Sequence, residues 1–262
     1  MMFRELFKCD KPIIGVVHLE PLPGSPLHKL RMDEIIELAL GDAKALYNGG
    51  VDGIIIENYG DAPYYPRRVP PVTVAAMAII VEHIVKAVDI PVGVNVLRND
   101  WRSSLSIAHV TGASFIRVNV LSGSYITDQG YIEGEAHLLQ RLKACLNSRV
   151  KVFADVDVKH AGRIVSRPLE DEARDLSERS LADAIIVTGE ATGKPPRIEK
   201  VRIVKKAVGR KPVIVGSGMN PENIGSYLRV CDGFIIGTYF KSGRRVDVEK
   251  VRTIVSRVKH SS

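Results

Sequence analysis

Short apolar runs recur along the chain roughly every 30 residues, and between them apolar positions fall at intervals of three and four. The runs are Ile13–Leu19, Gly53–Glu57, Val92–Val96, Phe115–Val120, Val152–Val158, Ala184–Thr188, Val213–Gly216 and Phe234–Gly237. Uniformly apolar runs of this length suit parallel strands covered on both faces. Turn residues announce several of them: Gly49 to Gly53 before the second, Asp89-Ile90-Pro91 before the third, Thr111-Gly112-Ala113 before the fourth and Cys231-Asp232-Gly233 before the last. The stretches from Asp33 to Leu46 and from Thr73 to Val88 carry helical spacing. This alternation, with no long polar linker, predicts α/β architecture: a single closed (β/α)8 TIM barrel of parallel strands over residues 1–262, both termini outside it. A doubly wound open sheet is the alternative, but no GxGxxG follows the first run. Glu20-Pro21-Leu22-Pro23-Gly24-Ser25-Pro26 stands there instead, a proline-stiffened loop suited to rim a pocket.

Length agrees, because 262 residues suit one such barrel, typically about 250. The charge of +7, from 37 basic and 30 acidic residues, favours anionic ligands. No basic arm or nucleic-acid motif accompanies it, so nucleic acid is not an expected partner, and the late Lys and Arg residues read as the solvated face of a C-terminal helix. Cys9, Cys145 and Cys231 are scattered and odd in number, which argues against disulfides or structural zinc and for a reducing cytoplasm. The start of the chain is charged where a signal peptide is apolar, and the run from Val72 to Val81 is too short for a transmembrane segment. Two Gln residues among many charges and Val/Ile-rich strands are compatible with a thermophilic source.

The last two runs carry the first chemical signal. Val213-Ile214-Val215 runs into Gly216-Ser217-Gly218, and Phe234-Ile235-Ile236 into Gly237-Thr238. Small residues there let backbone N–H groups approach an anion, and the loops after strands seven and eight of a barrel are where a phosphate commonly sits. The simpler reading is that glycines merely end buried strands. Asn220 and Pro221 are placed to cap and open a short helix between the two runs, and a helix starting near Thr238 or Tyr239, with Lys241 close by, would add positive potential. The loop Thr188-Gly189-Glu190-Ala191-Thr192-Gly193-Lys194 is a candidate third wall, through Gly189, but lacks P-loop spacing.

Polar residues at strand ends carry the second signal: His18 and Glu20, Glu57 and Asn58, Asn95 with Arg98, Asn99 and Asp100, Arg117 and Asn119, then Asp155, Asp157, Lys159 and His160. Alternation along a strand puts 155, 157 and 159 on one face, and likewise 117 with 119 and 18 with 20. Glu57 is the leading general-base candidate, since it follows Ile54-Ile55-Ile56 and desolvation raises a carboxylate pKa; a salt bridge to a neighbouring strand is its other reading. Asp155 either acts with Glu57 as an acid/base pair or forms a structural ion pair with Arg117. His18, Asn95, Asn119 and Asp157 complete the candidate set, His18 also reading as a wall histidine. Lys159 is either an imine-forming lysine or a rim lysine facing phosphate or solvent. Glu57, Asp155, Asp157 and His18 form an oxygen-rich rim that suits a divalent cation such as magnesium, although no compact ligand motif or organic-cofactor motif is present. The aromatic loop Tyr59-Gly60-Asp61-Ala62-Pro63-Tyr64-Tyr65 suits a ring-stacking lid or a contact between subunits of a homo-oligomer.

At these positions the chain resembles the BtpA/SgcQ family. The resemblance runs through Lys11 to Leu19 with Pro21 to Pro26, Gly49 to Gly53, Glu57-Asn58 with Asp61, Gly93-Val94-Asn95, Phe153 to Val156 with Lys159-His160, Thr188 to Gly193 and Val215 to Gly218. It implies a TIM barrel and the namesake role in photosystem I, hence membrane, biogenesis; other members are treated as enzymes of sugar or nucleoside metabolism. Two functions are therefore expected. One is an enzyme of isomerase, lyase/aldolase or nucleosidase type acting on a small phosphorylated metabolite. The other is a non-catalytic assembly factor that uses the barrel as a binding platform.

Overall fold

The computed structural model describes residues 2–165 and 167–259. The Val- and Ile-rich runs become strands because branched side chains pack well on a pleated surface covered on both faces. The strands are β1 (Ile13–His18), β2 (Gly53–Glu57), β3 (Val92–Asn95), β4 (Phe115–Val118), β5 (Ser124–Thr127), β6 (Gly130–Glu133), β7 (Lys151–Val156), β8 (Ala161–Arg163), β9 (Ala184–Val187), β10 (Val213–Val215), β11 (Gly233–Ile236), β12 (Lys241–Ser242) and β13 (Arg245–Val246). Eight of them close in the order β1-β11-β10-β9-β7-β4-β3-β2, every neighbouring pair parallel. This is the TIM barrel that the apolar runs predict. Among the described residues no helix is long and apolar enough to cross a membrane.

Strand alternation splits the core in two. Ile13, Val17, Ile54, Ile56, Val92, Val94, Ile116 and Val152 face outward and pack in one cluster with helical residues such as Ala43, Leu46, Met77, Ile80 and Leu105. Ile14, Val16, Ile55, Phe115, Phe153, Ile186, Ile214 and Ile235 face inward in a second cluster, joined by Phe3 and Phe7 of the helix Met2–Phe7. That helix lies outside the strands, but its two rings close the floor. Phe7 meets Phe115 with centroids 5.8 Å apart, Phe3 meets Phe153 at 6.0 Å, and Phe115 stacks on Phe153 at 4.7 Å. Glycine makes the room: a Cβ on Gly93 would come within 2.2 Å of the Phe115 ring, and one on Gly53 within 2.7 Å of Phe7.

Two features depart from the sequence reading. The loops after β4 and β7 together build a small antiparallel sheet, β6-β5-β8, which the apolar runs do not reveal. After β11 the chain makes only one 3-10 turn, Thr238–Phe240, then the hairpin β12-β13, and the terminal helix begins at Val248. The helix expected near Thr238 is thus reduced to that turn. Likewise, Asn220 and Asn223 bond reciprocally side chain to backbone, at 3.0 and 2.9 Å, and the helical segment begins at Ile224.

The aromatic floor yields a stability test. Phe7→Ala empties a site packed against the rings of Phe3, Phe115 and Phe153 and should lower the unfolding free energy in urea by about 3–5 kcal/mol.

Candidate active site

Parallel register places His18, Glu57 and Asn95 side by side, because His18 pairs with Glu57 and Glu57 with Asn95 across β1, β2 and β3. These residues sit where strands end and the apolar interior gives way to polar side chains. Arg117 on β4 ties the layer together. Its Nε and Nη2 donate to the two carboxylate oxygens of Asp155 at 2.9 and 2.8 Å, and its Nη1 donates to Glu57 Oε1 at 3.3 Å. Asn95 Nδ2 donates to the same Glu57 oxygen at 2.9 Å, and Asn119 Nδ2 to Asp155 Oδ2 at 3.1 Å. Glu57 Oε2 stands 3.8 Å from His18 Nε2, and the His18 ring stacks on Tyr59 with centroids 4.3 Å apart.

A groove opens above this layer in two lobes that share Glu57, Tyr59, Arg117, Lys159 and Thr192. The first lobe, about 220 Å³, is walled by Gly216, Ser217, Gly218, Gly237 and Thr238, with His18 beside them. The second, about 310 Å³, is walled by Tyr64, Asn95, Arg98, Asn119, Asp128 and Gln129 among others. The late glycine loops and the strand-end acids and bases therefore meet in one space.

Each small residue has an identifiable reason. Gly237 faces His18, whose Cε1 would lie 3.3 Å from an added Cβ. Gly218 has φ +72°, and a Cβ there would come within 2.1 Å of the Pro195 nitrogen, so loop packing alone forbids a side chain. Asn223 Nδ2 donates to the Gly218 carbonyl at 2.8 Å and anchors that loop. Gly189 does not line the groove; its N–H donates to Ser217 Oγ at 2.9 Å, while the Ser217 hydroxyl donates to the Lys194 carbonyl at 2.7 Å. Those two groups latch the loops to each other.

Other candidates are placed differently from their alternation along the strand. β7 stops at Val156, and Asp157 takes φ +52°, which ends the alternation. Its carboxylate pairs with Arg163 and Lys200, both at 2.7 Å, away from the groove. Asp155 lies under the groove in the Arg117 pair and opens onto neither lobe. With these carboxylates held by cations, the proposed magnesium rim does not assemble, and among the described residues no group of three His, Cys, Asp or Glu could hold a metal. Glu20 is held by Arg244 and Arg245. Lys241 sits in a neighbouring cleft of about 710 Å³, its Nζ buried without a hydrogen-bond partner. Asp128 and Gln129, at the turn between β5 and β6, were not among the sequence candidates. Their signal is the weak alternation of Ser124–Thr127 and Gly130–Glu133 around a turn.

Charge in the layer runs against one expectation. Burial pushes the Glu57 carboxyl upward, but Arg117, with His18 and Lys159 behind it, outweighs burial and holds the pKa below the usual value. Glu57 is a carboxylate at neutral pH, not a raised acid. Burial also lowers His18 to about 4 against the opposing pull of Glu57, so a neutral imidazole faces that carboxylate. Arg117 is penalised by burial yet raised by Asp155 and Glu57, and stays charged.

The BtpA family model matches residues 9–260. The chain belongs to the BtpA family. The photosystem I biogenesis protein BtpA of Synechocystis is 47% identical over 237 residues, covering 90% of this chain and 83% of that protein. An uncharacterised protein of Methanocaldococcus jannaschii is 46% identical over 255 residues, covering 96% of each. Among solved structures, N-(5'-phosphoribosyl)anthranilate isomerase from Pyrococcus furiosus is similar with a TM-score of 0.59 at 17% identity, covering 95% of this chain and 99% of that one. At that identity the likeness shows the fold.

Two stability outcomes follow for this BtpA-family barrel. Arg117→Leu leaves two buried carboxylates without their cation and should cost about 3–5 kcal/mol in urea unfolding at pH 7. His18 binds a proton near pH 6.5 when unfolded but only near 4 when folded, so stability falls as pH drops through that window. His18→Gln should remove about 3 kcal/mol of that acid-side loss, read as the difference between parent and variant unfolding at pH 7 and pH 4.

Proposed function

We propose that the protein is an enzyme acting on a small phosphorylated metabolite, of sugar-phosphate or nucleoside-like type, by acid/base chemistry at Glu57. The observation that carries this reading is the shared first lobe: glycine-bearing loops after β10 and β11 open into the same space as Glu57, Arg117 and Lys159. The phosphate would rest against Gly216, Ser217, Gly218, Gly237 and Thr238, where no bulky side chain stands between backbone and ligand. Arg117 and Lys159 line that lobe and favour an anion in it. The reacting carbon would then lie at the waist between lobes, and the rest of the molecule in the second lobe beside Asn95, Asn119 and Arg98.

In this arrangement Glu57 is the proton acceptor. Asn95 and Arg117 fix Oε1, which leaves Oε2 toward His18 and the groove. His18, neutral, is an orienting hydrogen-bond partner. Asp155 keeps Arg117 in place from below and is a positioning residue. The second reading, a non-catalytic assembly factor, draws support from the name of the Synechocystis relative and from exposed Ile126, Tyr131, Ile164 and Val165 around the small sheet. A polar layer held by a buried arginine is costly to build and has no evident use in such a platform, which favours the enzyme.

Calorimetry with ribose 5-phosphate and with inorganic phosphate tests the site. The parent should bind the sugar phosphate, and Thr238→Glu, which adds a carboxylate at an exposed position of the lobe, should weaken it at least tenfold with melting temperature unchanged. Gly218 is unsuitable for this purpose, because any side chain there meets Pro195. Equal binding by parent and variant, or no binding by the parent, would remove the phosphate lobe.

A further inference from the structure

Among the described residues at the waist of the groove, Lys159 is the one whose side chain has no assigned structural task. β7 ends at Val156, and the backbone turns through positive φ at Asp157 and His160. Between them Val158 is buried in the small cluster under the β6-β5-β8 sheet, and Lys159 lines both lobes. Arg98 Nη2 donates to the Lys159 carbonyl at 2.7 Å, which pins the backbone but leaves the amine alone. Among the described residues no carboxylate oxygen lies within 4.0 Å of Nζ, unlike Lys200, which is bound at 2.7 Å to Asp157. Its charged neighbours include two guanidinium groups, Arg117 and Arg98, as well as Glu57 and Asp155.

We propose that Lys159 Nζ is a nucleophile that forms an imine with the carbonyl carbon of an aldose or ketose phosphate. The inference rests on the phosphate lobe of the preceding section and adds the bond-forming residue and the carbonyl class of substrate. The neutral amine adds its lone pair to the carbonyl carbon, the C–N bond forms, and the carbonyl π pair becomes an alkoxide. Glu57 takes a proton from the nitrogen and returns one to the oxygen, giving a carbinolamine. Glu57 takes up a further proton from solvent and delivers it to that oxygen, which leaves as water as the nitrogen pair forms C=N. The sum is amine plus carbonyl plus one proton to protonated imine plus water, with no oxidant or reductant. The protonated imine then accepts the electron pair of an adjacent C–H bond as Glu57 takes its proton, or of a C–C bond as Glu57 takes the neighbouring hydroxyl proton and the far fragment leaves as an aldehyde. Reprotonation of the enamine carbon and addition of water release the product and restore the amine.

The state of the amine suits this role. Burial, then the charge of Arg117, lower Lys159 to about 8, so a useful fraction is neutral under mildly alkaline conditions. An ordinary solvent-exposed lysine keeps its proton to about pH 10.4.

Incubation with glyceraldehyde 3-phosphate and sodium cyanoborohydride, followed by peptide mass mapping, tests the inference. Lys159 should be labelled at least tenfold faster than Lys44, with a rate that rises through about pH 8, and Lys159→Met should lose that label while others remain. Labelling spread over surface lysines, or a Lys159 rate that rises only near about pH 10 as an ordinary lysine's does, overturns it. Unphosphorylated glyceraldehyde separates the two claims. Slower labelling of Lys159 by this probe supports nucleophile and phosphate lobe together. Equal labelling keeps the nucleophile and removes the lobe, whereas calorimetric phosphate binding without Lys159 labelling keeps the lobe and removes the nucleophile.

Discussion

The buried guanidinium of Arg117 is the constraint from which the mouth of the barrel is built. It reaches Asp155 on one side and Glu57 on the other, so three strands are held in one charge arrangement. Two carboxylates so deep would otherwise repel each other and lose hydration, and one would take up a proton. With Arg117 between them, Glu57 stays ionised. Asn95 and Asn119 then complete the hydrogen bonding from the flanks. The sign of the Glu57 pKa shift traces to this cation, whereas burial comes first in keeping His18 neutral and in lowering Lys159, with Arg117 adding to both. Asn119 Oδ1 and Thr188 Oγ1 are buried without hydrogen-bond partners.

Glycine has two opposite uses along the barrel axis. At the floor Gly53 and Gly93 give their volume to phenylalanine rings, and the interior is closed by aromatic packing. At the mouth Gly237 lines the groove across from His18, whereas the Cβ position of Gly216, which also lines it, is taken by the Ile186 side chain, 2.5 Å away. One end is filled by rings and the other borders the groove.

The barrel was legible because every run such as Ile54-Ile55-Ile56 or Val213-Ile214-Val215 is apolar on both faces, and short turns separate runs from helices. The β6-β5-β8 sheet was not, since Ser124–Thr127 is half exposed and alternates weakly, and its partner β8 lies in a different loop. Strand-end position alone groups Glu57, His18 and Asn95, which the structure sets side by side. Asp157 was misplaced because strand alternation was carried past Val156, where a left-handed residue breaks it. The direction of the Glu57 shift was missed for another reason: local sequence shows the desolvating isoleucines but not the arginine that comes from 60 residues away.

The aromatic floor also fixes an order of events during synthesis. Phe3 and Phe7 are made long before Phe115 and Phe153, and β1 must wait for β11 before its second edge is paired. Until then the nascent chain carries the unpacked rings of Phe3 and Phe7 and an open strand edge, both of which attract other chains. Ring closure and sealing of the floor thus fall late, after Ile236 has left the ribosome. A cell that makes much of this protein gains from a holdase that shelters its N-terminal segment until translation is nearly done.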